Sequence, residues 1–138
     1  MKDGYIEIEN LKVPSSFESI NRVEVLIDSV CSRLSVNEDY YGNVLIAVTE
    51  AVNNAIQHGN KGSVDLTVDV SVADKEADFC FQIKDYGKGF DYKKLPDPTA
   101  PENIEQENGR GIYLMRSLAE GVEFSDGGRS VSIYFSKK

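Results

Sequence analysis

Two hydrophobic rhythms run along the chain, one of period two and one close to 3.6. In "YIEIENLKV" apolar and polar residues alternate from Ile6 through Ile8, which predicts a strand that Pro14 ends. Ser15 and Glu18 then have capping-box spacing. Phe17, Ile20, Val23, Leu26, Val30 and Leu34 recur at helical intervals, so a first amphipathic helix is expected here. Asn37 suits the N-cap of a second helix, with Glu38 and Asp39 in a first turn where the helix dipole favours acids. That helix carries Val44, Val48, Ala51, Val52 and Ala55 on one side and should end at Gly59, a natural C-cap. Val64, Leu66, Val68, Val70 and Val72 alternate again, "DKEAD" turns the chain, and "FCFQIKD" runs back to complete a hairpin.

Residues 91–108 break both rhythms. They hold three of the four prolines and little apolar material, so a long mobile loop is expected, of a length that is usually functional. "GIYLMRSLAE" then predicts a short helix, and "VEFS", "DGG" and "SVSIYF" a second hairpin. Helices fall between antiparallel strand pairs rather than alternating singly with strands. The expected fold is therefore α+β: a two-layer sandwich of a mixed, mostly antiparallel sheet with helices on one face. A length of 138 residues suits a single domain over 1–138.

Composition narrows the partners. Acids outnumber bases 23 to 15, and the formal charge of -8 repels nucleic acid and anionic membrane while suiting a basic protein surface. Neither a signal peptide nor an apolar run of about 20 residues is present, so a cytoplasmic protein is expected. Cys31 and Cys80 sit among apolar neighbours without CxxC spacing and read as buried thiols.

The second helix holds "EAVNNAIQHGN", unusually polar for a packed element. At about 100° per residue, Glu50 and Asn54 share one stripe, away from the aliphatic one. An amide oxygen there suits a hard cation such as Mg²⁺, and a carboxylate suits proton acceptance from a hydroxyl. A solvated acid–amide pair accounts for the same spacing. His58, in the last turn, suits interaction with the helix dipole. Downstream, "DYGKGFD" puts Asp85 at a strand end ahead of Gly87 and Gly89, where backbone can approach a ligand whose exocyclic amine the carboxylate accepts. "NGRGIYLM" places Gly109, Arg110 and Gly111 at the start of a helix, an arrangement suited to phosphate. Each GxG alone is equally a hairpin or cap. Neither has the strand–GxGxxG–helix context of a dinucleotide site, and no GxxxxGK[ST] loop occurs.

Taken in order, these motifs resemble the GHKL or Bergerat-fold ATPases, which share the histidine-kinase-like ATPase fold. Within them the chain looks most like the anti-sigma-factor serine/threonine kinases of bacteria. "EAVNNAIQHGN" is similar to their N box, "DYGKGF" and "GRGIYLM" to their two glycine boxes, and "SVSIYF" to their closing strand. The resemblance implies that Asn54 ligates Mg²⁺ on the phosphates of ATP and that Glu50 is the candidate catalytic base. It implies that Asp85 receives the adenine amine in a pocket shaped by Gly87 and Gly89. Gly109, Arg110 and Gly111 would cradle phosphate, residues 91–108 would form an ATP lid, and Arg22 would face protein partners. The implied partners are a sigma factor and a STAS-type anti-anti-sigma protein, with a homodimer also in keeping. One departure stands out. Such kinases often place a Gly-Thr pair before the closing strand, where "DGGRSVS" here has Arg129 and then Ser130. A non-catalytic ATP-binding switch and a histidine-kinase-type ATPase domain remain as alternatives to the kinase.

Overall fold

A computed structural model of the chain describes residues 1–89 and 107–138. Five strands, β1 (Ile6–Pro14), β2 (Thr67–Lys75), β3 (Asp78–Lys84), β4 (Gly121–Ser125) and β5 (Ser130–Ser136), form one sheet in the order β1-β2-β3-β5-β4. Every described pair is antiparallel. Three α-helices, α1 (Ser19–Arg33), α2 (Glu38–Asn54) and α3 (Glu107–Leu118), complete the α+β sandwich.

Strand alternation decides which face the helices cover. Val70 and Val72 on β2 stand opposite Ile83 and Phe81 on β3, which pair in turn with Val131 and Ile133 on β5, and Val68 stands opposite Val13 on β1. These residues share one buried cluster with Val23, Ile27 and Val30 of α1, Val44, Val48 and Val52 of α2, and Ile112 and Met115 of α3. The intervening residues Asp69, Ser71, Gln82 and Ser132 belong to the opposite, polar face. Burial of one face thus specifies the register, since a one-residue slip would turn every valine outward.

Asn37 caps α2 as its sequence position predicts, its side-chain oxygen accepting from the Asp39 amide at 2.9 Å. The start of α1 differs from the capping-box expectation. Ser15 does not cap the helix; its hydroxyl donates to the Leu66 carbonyl at 2.7 Å, and α1 begins at Ser19 with no side-chain cap. Phe17, placed ahead of the helix, is 66% exposed, and Val64, placed ahead of β2, is 63% exposed. In both cases the apolar periodicity runs past the end of the element. The helix α3 starts at Glu107, earlier than "GIYLMRSLAE" suggests, and takes in the end of the expected loop. The remainder of that loop, residues 91–106, lies outside the described residues. Cys31 and Cys80 are free and buried, and burial pushes their thiols up to about 11 and about 12. Among the described residues no helix is long and apolar enough to cross a membrane.

Candidate functional site

The helix α2 does not stop cleanly. It widens into one π-helical turn, Ala55–Gly59, in which the Asn60 amide reaches back to the Ala55 carbonyl at 2.8 Å. Such turns insert an extra residue and re-aim side chains, and they are frequent at functional sites. Here the turn carries the α2 stripe of Ala51, Asn54, Ala55, His58 and Gly59 along one wall of an open cavity of about 180 Å³. Ile83, Ile112, Met115 and Val131 supply further apolar lining, with Asp85, Gly89, Gly128 and Arg129 at one side. An apolar slot with a few polar groups is the usual form of a small-molecule site.

At one end the slot is defined by Asp85, just past β3 and 6% exposed. Burial raises its carboxyl pKa, opposed by the Gly87 amide, which donates to Oδ1 at 2.9 Å, and by the Arg129 charge; the Asp126 charge adds to the rise. Gly59 lies directly against this carboxylate, since a Cβ on Gly59 would fall 2.3 Å from Asp85 Oδ2. The C-cap expectation for Gly59 is therefore corrected in its reason. Its backbone is not left-handed, and Lys61 and Gly62 take the positive φ values that turn the chain. Glycine stands at 59 because there is no room for a side chain. Gly89 needs glycine twice over, with φ at 76° and a notional Cβ 2.2 Å from the Gly127 carbonyl oxygen.

At the other end α3 crosses α2 at Gly111. A Cβ there would lie 3.0 Å from Asn54 Nδ2, 3.3 Å from Asn54 Oδ1 and 3.2 Å from Glu50 Oε2. The tertiary fold thus brings Glu50, Asn54 and Gly111 together, as the helical stripe and the second GxG suggested separately. Glu50 itself is half-buried beside Asn54 and is not among the described residues lining the cavity. Gly109 and Arg110 fall in the first turn of α3, at the end of the helix where amides lack internal acceptors. Arg22 is exposed on α1, outside the cavity.

A family model of the histidine kinase-like ATPase domain matches residues 13–135. The chain belongs to that family. It is 29% identical to the proteins named serine-protein kinase RsbW of Staphylococcus aureus strains JH9 and Newman, over 96% of this chain and 86% of theirs. Among solved structures it resembles the RsbU and RsbW domains of a Mycobacterium tuberculosis protein with a TM-score of 0.59 at 12% identity. That match covers 95% of this chain and 32% of the other, so the chain spans about a third of the solved protein and the likeness concerns the fold.

Two residues near the site carry contacts that the sequence did not assign. Asn60, 3% exposed, donates through Nδ2 to Ser15 Oγ at 2.8 Å and to the Thr67 carbonyl at 2.9 Å. Its Oδ1 accepts from the Tyr86 amide at 2.8 Å, so it ties the end of β1, the start of β2 and the loop holding Asp85 to the end of α2. Arg129 sits opposite Asp85 because β3 and β5 end their ladder at Lys84 and Ser130, and its carbonyl accepts from the Asp85 amide at 2.9 Å. The only signal for Asn60 in the sequence was its place at the end of the polar stretch "EAVNNAIQHGN"; for Arg129 it was the departure from the Gly-Thr pattern. His58, read as a helix-dipole residue, is exposed and lines the cavity.

Proposed function

We propose that this protein is an ATP- and Mg²⁺-dependent serine/threonine protein kinase that acts as an anti-sigma factor and phosphorylates a STAS-type anti-anti-sigma protein. The observation that carries the reading is the meeting of Glu50 and Asn54 with Gly111 at one end of a slot whose other end is Asp85. In its support, the serine-protein kinases RsbW share 29% of their residues with the chain over nearly its whole length.

The residues fit ATP and Mg²⁺. Asp85 is a buried acceptor beside backbone bared by Gly59, Gly87 and Gly89, which suits the exocyclic amine of adenine. Asn54 offers an amide oxygen, a ligand type hard cations take, with phosphate and water completing the set. Gly109, Arg110 and Gly111 bring the first turn of α3 to the phosphates. When bound, Mg²⁺ would neutralise charge building up on the phosphates. Glu50 then takes the proton from the partner's hydroxyl as that oxygen bonds to the γ-phosphorus. The bond from that phosphorus to the β–γ bridging oxygen breaks, and ADP departs. Such transfer asks chiefly for positioning and charge stabilisation. Residues 91–108 serve as the lid within a single domain spanning 1–138, and Arg22 lies on the partner-facing helix. The net charge of -8 favours partners with basic surfaces, and a homodimer in the cytoplasm completes the reading.

The test is transfer of label from γ-labelled ATP to the co-encoded STAS-type protein by the full chain with Mg²⁺. Labelling should appear, and Glu50→Gln should lower its rate by about 10²–10⁴-fold, the usual span for a general base. Tight binding of ATP and partner with no label in the wild type would instead mark a non-catalytic ATP-dependent switch.

A further inference from the structure

The one motif position that departs from the family pattern, Arg129, makes two contacts to the same short loop. Its carbonyl accepts from the Asp85 amide at 2.9 Å, and its guanidinium Nη1 donates to the Lys88 carbonyl at 3.0 Å. The loop between these points, Asp85–Gly89, holds two glycines and so has more backbone freedom than most. Gly89 is at φ 76°, and a Cβ on it would lie 2.8 Å from Arg129 Nη1, so the guanidinium occupies the space a side chain would take. Arg129 also lines the cavity next to Asp85. Its Nε reaches towards Asp126 at 3.9 Å, which steadies the planar group from behind.

We propose that Arg129 is a positioning residue for base selection: its guanidinium, by holding the Lys88 end of a loop whose Asp85 end is already tied to the main chain of residue 129, keeps the Asp85 carboxylate where it accepts the 6-amino group of adenine. The proposal rests on the base-end assignment made above. A threonine hydroxyl is too short to reach across the loop from position 129 to the Lys88 carbonyl, whereas a guanidinium spans that gap and brings a charge-assisted hydrogen bond. Nearness of the guanidinium to the carboxylate also favours its ionised, amine-accepting form.

ATP and ITP separate positioning from general support of the fold. They carry the same triphosphate and sugar, but ITP has a carbonyl oxygen in place of the 6-amino group, so the donor that Asp85 would accept from at position 6 becomes an acceptor. Equilibrium titration of the full chain with each nucleotide, for wild type, Arg129→Ala, Arg129→Lys and Asp85→Asn, reads the ratio of affinities. Wild type should prefer ATP. Arg129→Ala should lose roughly tenfold in ATP affinity, the scale of one charged hydrogen bond, with ITP affinity little changed, so that the preference collapses; Arg129→Lys should retain part of it. If Arg129→Ala weakens both nucleotides equally, or leaves the ratio at its wild-type value, the proposal is overturned. Should Arg129→Ala fail to fold, as judged by thermal melting, the ratio for Arg129→Lys decides, and a ratio equal to wild type overturns the proposal. A wild type without preference, or an Asp85→Asn variant with the full preference, defeats the base-end assignment itself and this inference with it. An intact effect of Asp85→Asn beside an inert Arg129→Ala defeats the inference alone.

Discussion

A Cβ on Gly87 would lie 1.9 Å from the carbonyl oxygen of Gly59. The loop after β3 and the π turn after α2 therefore touch backbone to backbone, and the Asp85 carboxylate is set between them. Overpacking a site this tight costs about 1–3 kcal/mol or more. Gly87→Ala and Gly59→Ala should each remove ATP binding in an equilibrium titration and lower the melting temperature. Gly42→Ala is the control, since a Cβ there meets nothing within 4 Å. A Gly59→Ala protein that binds ATP as tightly as wild type would contradict the contact.

The buried amide of Asn60 predicts a second outcome. Asn60→Ala strands the Tyr86 amide and deprives Ser15 and the Thr67 carbonyl of a donor, and each unsatisfied buried group costs about 1–3 kcal/mol. Chemical denaturation should show a loss of roughly 2–4 kcal/mol. Hydrogen exchange at the Tyr86 amide should quicken by more than exchange in the α1 core does.

Protonation of Asp85 yields a third. Its carboxyl pKa is raised above the ordinary 3.8 in the folded protein, chiefly by burial. A group whose folded value is raised contributes stability below its unfolded value and loses that contribution as pH rises through the folded one. The ligand-free protein should therefore surrender a small part of its stability just above pH 3.8, a trend that Asp85→Asn abolishes. Nucleotide affinity should run the other way and strengthen with pH over the same range, because the ionised carboxylate is the better acceptor. Denaturation and ATP titration across the acid range, in wild type and Asp85→Asn, check both signs.

Asn54 and Glu50 should part company in a fourth measurement. Asn54→Ala should weaken ATP binding in the presence of Mg²⁺ much more than in its absence, since it removes the amide oxygen facing Gly111. Glu50→Gln should keep binding and lose transfer. A Glu50→Gln protein with full transfer would remove Glu50 from the chemistry.

The thiols offer a fifth. Burial holds Cys80 at about 12 and Cys31 at about 11, so few thiolates exist at neutral pH. Both should resist a thiol-specific colorimetric reagent in the native protein and react on unfolding.

Much of this fold follows from local periodicity. The valines at 68, 70 and 72 alternate and lie buried on one face of β2, and Val44, Val48 and Val52 form the inner stripe of α2. Asn37 caps where its side chain and position require. Pairing of Glu50 with Asn54 likewise needs nothing beyond helical geometry, and the acid ending β3 is plain from "FCFQIKD". Elements end less legibly. Phe17 and Val64 continue an apolar rhythm outside their helix and strand, because periodicity records which side a residue would face but not whether the backbone is still regular.

What the tertiary structure alone decided are the contacts between segments far apart in the chain. Gly59 looks like a helix cap until Asp85 is found against it. Arg129 looks like a turn residue until the β3–β5 register sets it opposite Asp85. Asn60 looks like another polar residue in a helix end until three segments are seen to bond to it. Periodicity and capping act through neighbours a few residues apart and so are written in the local sequence. Close approach across a register depends on where the whole sheet and its helices come to rest, and no local pattern encodes it.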